Sequence, residues 1–98
     1  MEFLVPLNDP QFATKSVSYT GTAGITALWP SGPQAVLVWC TTDAYVRVDG
    51  TAATVADTPL PAGTPVPFKV PATGVPWGVS AVQITAGGTM YAKPINAT

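Results

Sequence analysis

Glycine or proline breaks this sequence about every ten residues, and short runs rich in Val, Thr and aromatic residues stand between the breaks. Each run is long enough for a strand and too short for a typical helix. Nine Gly and eleven Pro supply the punctuation, because proline cannot donate to a ladder and glycine admits the turns that end one. The pattern predicts an all-β chain: a single small β-sandwich or jelly-roll-like barrel of about seven or eight short antiparallel strands. The 98 residues suffice for one core and leave no material for a second. Residues 12–98 are read as that domain and residues 1–11 as an N-terminal arm or edge segment.

The runs differ in what they predict. Residues 12–20, FATKSVSYT, place Ala13, Val17 and Tyr19 on one face with Lys15. Gly21 and Gly24 bracket a turn into GITALW, and the stretch from Trp29 to Pro33 ends that strand. Residues 34–41, QAVLVWCT, are apolar at nearly every position, which predicts a central strand covered on both faces with Trp39 in the core. In DAYVRV, Ala44, Val46 and Val48 alternate with Asp43, Tyr45 and Arg47, the pattern of a strand with one wet face. Asp49 and Gly50 then predict a tight hairpin. Six of the eleven prolines fall between Thr51 and Pro76, which predicts short edge strands that resist edge-to-edge association. WGVSAVQIT and TMYAKPI flank Ala86, Gly87 and Gly88 and predict a second hairpin.

Catalytic and metal chemistry finds little material. With no histidine, the Ser-His-Asp and Cys-His arrangements are unavailable. Lys15 and Ser16, adjacent in a strand, point to opposite faces and cannot act as a pair. The clustered acids are Asp43, Asp49 and Asp57, for which turn or solvent roles are expected; Tyr45 and Arg47 occupy the intervening same-face positions, and the cation opposes calcium. Cys40, the single cysteine, can form no intrachain disulfide and reads as a small buried hydrophobe. No phosphate-binding or dinucleotide motif occurs, so no cofactor is expected, and the chain is read as no enzyme.

The four cations, Lys15, Arg47, Lys69 and Lys93, are scattered and the net charge is −1, which argues against direct binding of nucleic acid. MEFLVPLNDP has no basic region and its apolar run breaks at Pro6, so neither a secretory signal nor a membrane span is expected.

What remains is surface. With 47% apolar and 9% charged residues the exterior is unusually neutral, a property that suits a permanently assembled subunit, so a homo-oligomer is expected. Candidate contacts are Phe3 and Leu4 in the arm, which would lie on a neighbouring subunit. Trp29 and Trp77 each adjoin a proline and either cap the core or anchor an interface. Tyr45 and Arg47, on the wet face, are residue types enriched at interfaces.

The stretch DAYVRVDGTAATVADTPLPAGTPVPFKVP, followed by VSAVQITAGGTMYAKPI, resembles small virion proteins of tailed bacteriophages that lie among head structural genes. The resemblance covers roughly residues 36–95. It implies a capsid decoration or cement protein, β-rich and often trimeric, bound to the outer shell at junctions between major capsid protein subunits. Such a protein is made in the host cytoplasm and resides on the virion head; no catalytic or ligand residue carries over. The strand pattern also allows a head-to-tail connector or tail-fibre component. The aromatics allow a carbohydrate-binding β-sandwich module with Trp29, Trp77 and Tyr45 as a stacking platform.

Overall fold

The structure, a computed structural model, describes residues 7, 10–49, 51–70 and 76–97. Phe3 and Leu4 lie outside the described residues, as do Gly50 and most of the 1–11 segment. A short 3-10 turn at Pro10–Phe12 leads into β1 (Lys15–Tyr19), β2 (Gly24–Ile25), β3 (Pro33–Cys40) and β4 (Ala44–Val48). The second half supplies β5 (Thr58–Leu60), β6 (Val66–Lys69), β7 (Val79–Gln83) and β8 (Gly88–Ala97).

These strands form two four-stranded antiparallel sheets, ordered β1-β8-β3-β6 and β2-β7-β4-β5. The pairs β1·β8, β2·β7, β3·β6 and β4·β5 are the rungs of one long hairpin. Rolling that hairpin brings β8 beside β3 and β7 beside β4, which completes both sheets. The order is that of a jelly roll, so the sandwich and jelly-roll expectations resolve to one topology.

Period-two alternation decides which side chains meet between the sheets. Tyr19 from β1, Met90 and Ala92 from β8, and Val36, Val38 and Cys40 from β3 face inward and are buried. Ala44 and Val46 from β4, Val79 and Ala81 from β7, and Leu60 from β5 meet them from the other sheet. Phe12, Val17, Val48, Val66 and Phe68 pack around the margin.

Trp29 and Trp77 belong to this core. They are 0% and 1% exposed, their ring centroids lie 4.8 Å apart, and their backbones exchange hydrogen bonds of 2.8 and 3.1 Å. Each indole N–H reaches a carbonyl, Trp29 Nε1 that of Ala13 at 3.0 Å and Trp77 Nε1 that of Pro30 at 3.1 Å. Pro30, which follows Trp29, thus supplies the carbonyl that holds the Trp77 indole.

Three sequence expectations are corrected. The run 34–41 is not covered equally on both faces: Val36, Val38 and Cys40 are buried, while Ala35, Leu37 and Trp39 on the opposite face are half-buried. Trp39 is thus outside the core, because a run that is apolar at every position hides its own parity. The segment Ala86–Gly88 is no hairpin, since β7 and β8 lie in different sheets and the chain crosses the sandwich there. Its glycine has another reason: a Cβ on Gly88 would lie 2.6 Å from both Thr41 Oγ1 and Thr42 Oγ1. β4 and β5 are not joined by the two-residue hairpin expected at Asp49 and Gly50, of which Gly50 lies outside the described residues. β4 and β5 do pair, Ala44 with Leu60 and Val46 with Thr58, but residues 49–57 connect them.

The edges follow the expectation for the proline-rich half. β5 and β6 are short, lie at the edges of their sheets, and carry Pro59 and Pro67. On the other side of the sandwich, β1 and β2 close against each other. A Cβ on Gly24 would lie 2.1 Å from the Ser18 carbonyl oxygen, so only glycine lets the two edges approach so closely. Pro94 lies in the inner strand β8, but beyond Ala92, the last residue paired with β1, where β8 has β3 as its neighbour.

Candidate functional site

The groups that resemble chemistry are engaged in holding the fold. Asp43 Oδ1 accepts the Ala62 N–H at 2.8 Å and so fixes the turn after β5. Asp49 Oδ1 accepts the Thr51 N–H at 2.8 Å, and its Oδ2 accepts from Arg47 Nε at 2.8 Å. Asp57 Oδ2 accepts the Thr54 N–H at 2.7 Å, and its Oδ1 lies 3.8 Å from Arg47 Nη1. For Asp49, desolvation pushes the carboxyl upward, but the Thr51 amide and the Arg47 guanidinium outweigh it and leave the carboxyl below its ordinary range. Turn or solvent roles are expected for Asp43, Asp49 and Asp57, and each accepts a backbone N–H at a turn or connection. Among the described residues no three His, Cys, Asp or Glu side chains gather as metal ligands.

Cys40 is buried, as expected, and desolvation pushes its thiol up to about 11 against a partly opposing hydrogen bond with Tyr19. Tyr19 itself accepts the Thr42 N–H and lies 2.8 Å from the Thr42 carbonyl, locking β1 to the β3–β4 turn. Lys15 faces inward, donates to the Leu28 carbonyl at 2.9 Å and sits 5.0 Å from the Trp29 ring centroid, whereas Ser16 faces out.

Tyr45 and Arg47 do point outward from β4, but connection 49–57 folds over part of that face. Ser80, their neighbour on β7, is fully buried and donates to the Thr51 carbonyl at 2.6 Å; Ala53 and Val82 are buried too. Arg47 is held by Asp49 and Asp57. The expected wet face is thus half-covered by the chain's own connection. Trp29 and Trp77, expected either to cap the core or to anchor an interface, have no surface to present, so their place among interface residues is corrected: the contact between two large rings consumes it.

The outer face of β1-β8-β3-β6 carries a different set. Register aligns Ser16, Tyr91 and Trp39 across three strands, then Lys93, Leu37 and Pro67, then Ile95, Ala35 and Lys69. Trp39 and Tyr91 stack with centroids 5.7 Å apart and planes 14° apart, and both remain half-exposed. Ser16, Pro67 and Lys69 are exposed. At the far end Lys93 Nζ donates to the carbonyls of Leu7 and Phe12, the second at 2.9 Å, which ties the described part of the N-terminal segment to the chain's own sheet.

Sequence reading missed this pair because Trp39 was assigned to the core. The usable signal was in β8: Lys93 must turn its amine outward, and Tyr91, two residues earlier, shares that face. Trp39 becomes visible only through its register with Tyr91.

The chain matches no family model, no curated protein and no solved structure. Among the described residues no helix is long and apolar enough to cross a membrane.

Proposed function

We propose that the chain is a non-enzymatic structural component of a virion, a cement protein that binds the outer surface of a phage head shell and stabilises it. One observation carries the reading. Asp43, Asp49 and Asp57, the cysteine and two of the three indoles are engaged within the fold, while Trp39, Tyr91, Pro67 and Lys69 stand on the outer face of a four-stranded sheet with blunted edges. The likeness of residues 36–95 to small virion proteins of tailed bacteriophages supports the same assignment. Its partner is then the major capsid protein, and its own state a homo-oligomer, with a trimer favoured.

The mechanism is mass action. A protein that buries surface across neighbouring shell subunits adds binding free energy available only to the assembled shell, so breakage must also undo those contacts. Particles with and without the protein should therefore differ in the temperature and osmotic stress at which they break. Equal breakage would exclude the reading. Recovery at a single vertex instead of over the whole head would favour the connector alternative. The glycan-binding alternative loses its platform, because Trp29 and Trp77 are buried and Trp39 turns one ring face to Tyr91.

A further inference from the structure

We infer that the outer face of the β1-β8-β3-β6 sheet is the docking surface, and that it seats on a protein surface bearing carboxylates around an apolar depression. The inference rests on the cement reading and names the contact that reading requires. Charge is its first ground. Among the described residues the lysines all belong to this sheet and the aspartates all flank β4 or β5 in the other one. Lys69 is exposed and makes no hydrogen bond or ion pair with any described residue. Lys93 is bonded to two carbonyl oxygens, which satisfy two of its three donors without cancelling its charge. The face thus holds two cations and, among the described residues, no acid.

Shape and chemistry supply the second ground. Trp39 and Tyr91 are the amphipathic, entropically inexpensive side chains that anchor interfaces, and Leu37 and Pro67 extend their apolar surface across β3 and β6. Ser16, Ser18 and Thr89 add hydroxyl groups along one margin, as a polar rim does. Fixed to a sheet, these groups lose little freedom on docking.

A second copy of the chain fits less well. Its acidic side is largely satisfied from within, Asp49 and Asp57 by Arg47 and Asp43 by a backbone amide. Two opposite faces joined in sequence would also build an open series of copies, not a closed oligomer. Nucleic acid fits less well too, because two lysines neutralise few phosphates and the stacked rings offer only their outer faces to bases.

The test uses the full chain and shells stripped of it. Trp39→Ala and Lys69→Glu should each weaken binding about tenfold or more, and added salt should weaken wild-type binding. Val55→Glu, at the 74% exposed tip of connection 49–57, should bind as wild type does. Lys69 lies exposed on an edge strand, so its variant retains the fold even where Trp39→Ala loses stability, and thermal melts verify this. Normal binding by both sheet variants, or loss with Val55→Glu alone, overturns the inference while leaving the cement reading intact. Failure of the wild type to bind the shell overturns both. Self-association abolished by Lys69→Glu, or binding of a single-stranded oligonucleotide lost in the same variants, also overturns it by assigning the face to another occupant.

Discussion

Trp29 and Trp77 fill the interior from opposite halves of the chain, and each satisfies its indole N–H on a backbone carbonyl, Trp29 on that of Ala13 before β1 and Trp77 on that of Pro30 beside the other indole. Removing one ring leaves a cavity that the facing ring cannot fill, since its own indole is tethered. Trp77→Ala should therefore destabilise the domain by about 3–5 kcal/mol, read as a shift in denaturant midpoint with unchanged slope. A loss below about 1 kcal/mol would place the ring outside the cooperative core. At this scale the sequence was half legible. Alternation in AYVRV identified Ala44, Val46 and Val48 as the inner set of β4, and burial of Cys40 followed from residue type. The two Trp-Pro junctions were not legible, because a loop aromatic can turn inward or outward and only its partner, 48 positions away by subtraction of 29 from 77, decides which. Trp39 failed for the opposite reason: its run was apolar throughout, so residue type carried no parity.

Among the elements, the strands were legible and their pairing was not. Among the described residues eight strands, from two to ten residues long, appear between the Gly and Pro breaks, and the edge strands β5 and β6 carry proline. The crossing between β7 and β8 was misread because a glycine pair suits both a hairpin turn and a tight passage beneath Thr41 and Thr42, and local sequence does not distinguish them. The edges yield a prediction. Pro67 sits in β6 with β3 on one side, and as a proline it offers no N–H to any further strand. Pro67→Thr restores a donor and raises strand propensity at that edge. The variant should keep the wild-type fold and size at low concentration but form larger species than the wild type as concentration rises, visible by light scattering. Equal scattering from variant and wild type would mean that the rim of β6 is protected by something other than its proline.

The molecule as a whole is a rolled hairpin, and its strand order follows from which rungs meet after rolling, a long-range property that no local pattern reports. The same nesting sets the order of folding. The inner rung, β4 with β5, closes over residues 49–57, whereas the outer rung joins Lys15 to Ala92 and must close nearly the whole described chain. Closure entropy grows with loop length, and a fold built from distant pairings refolds slowly, on the order of milliseconds to seconds. The inner rung and its β7 neighbour should therefore be formed in the transition state and the outer rung should not. Val46→Ala, buried in β4, should act mainly by slowing folding, while Met90→Ala, buried where β8 meets both β1 and β3, should act mainly by speeding unfolding. Chevron plots of the two variants separate the cases, provided each costs more than about 0.6 kcal/mol. If Met90→Ala slows folding as much as Val46→Ala does, the sheets assemble together and the rolling order fails, because β8 would then have found β3 before the hairpin between them had closed.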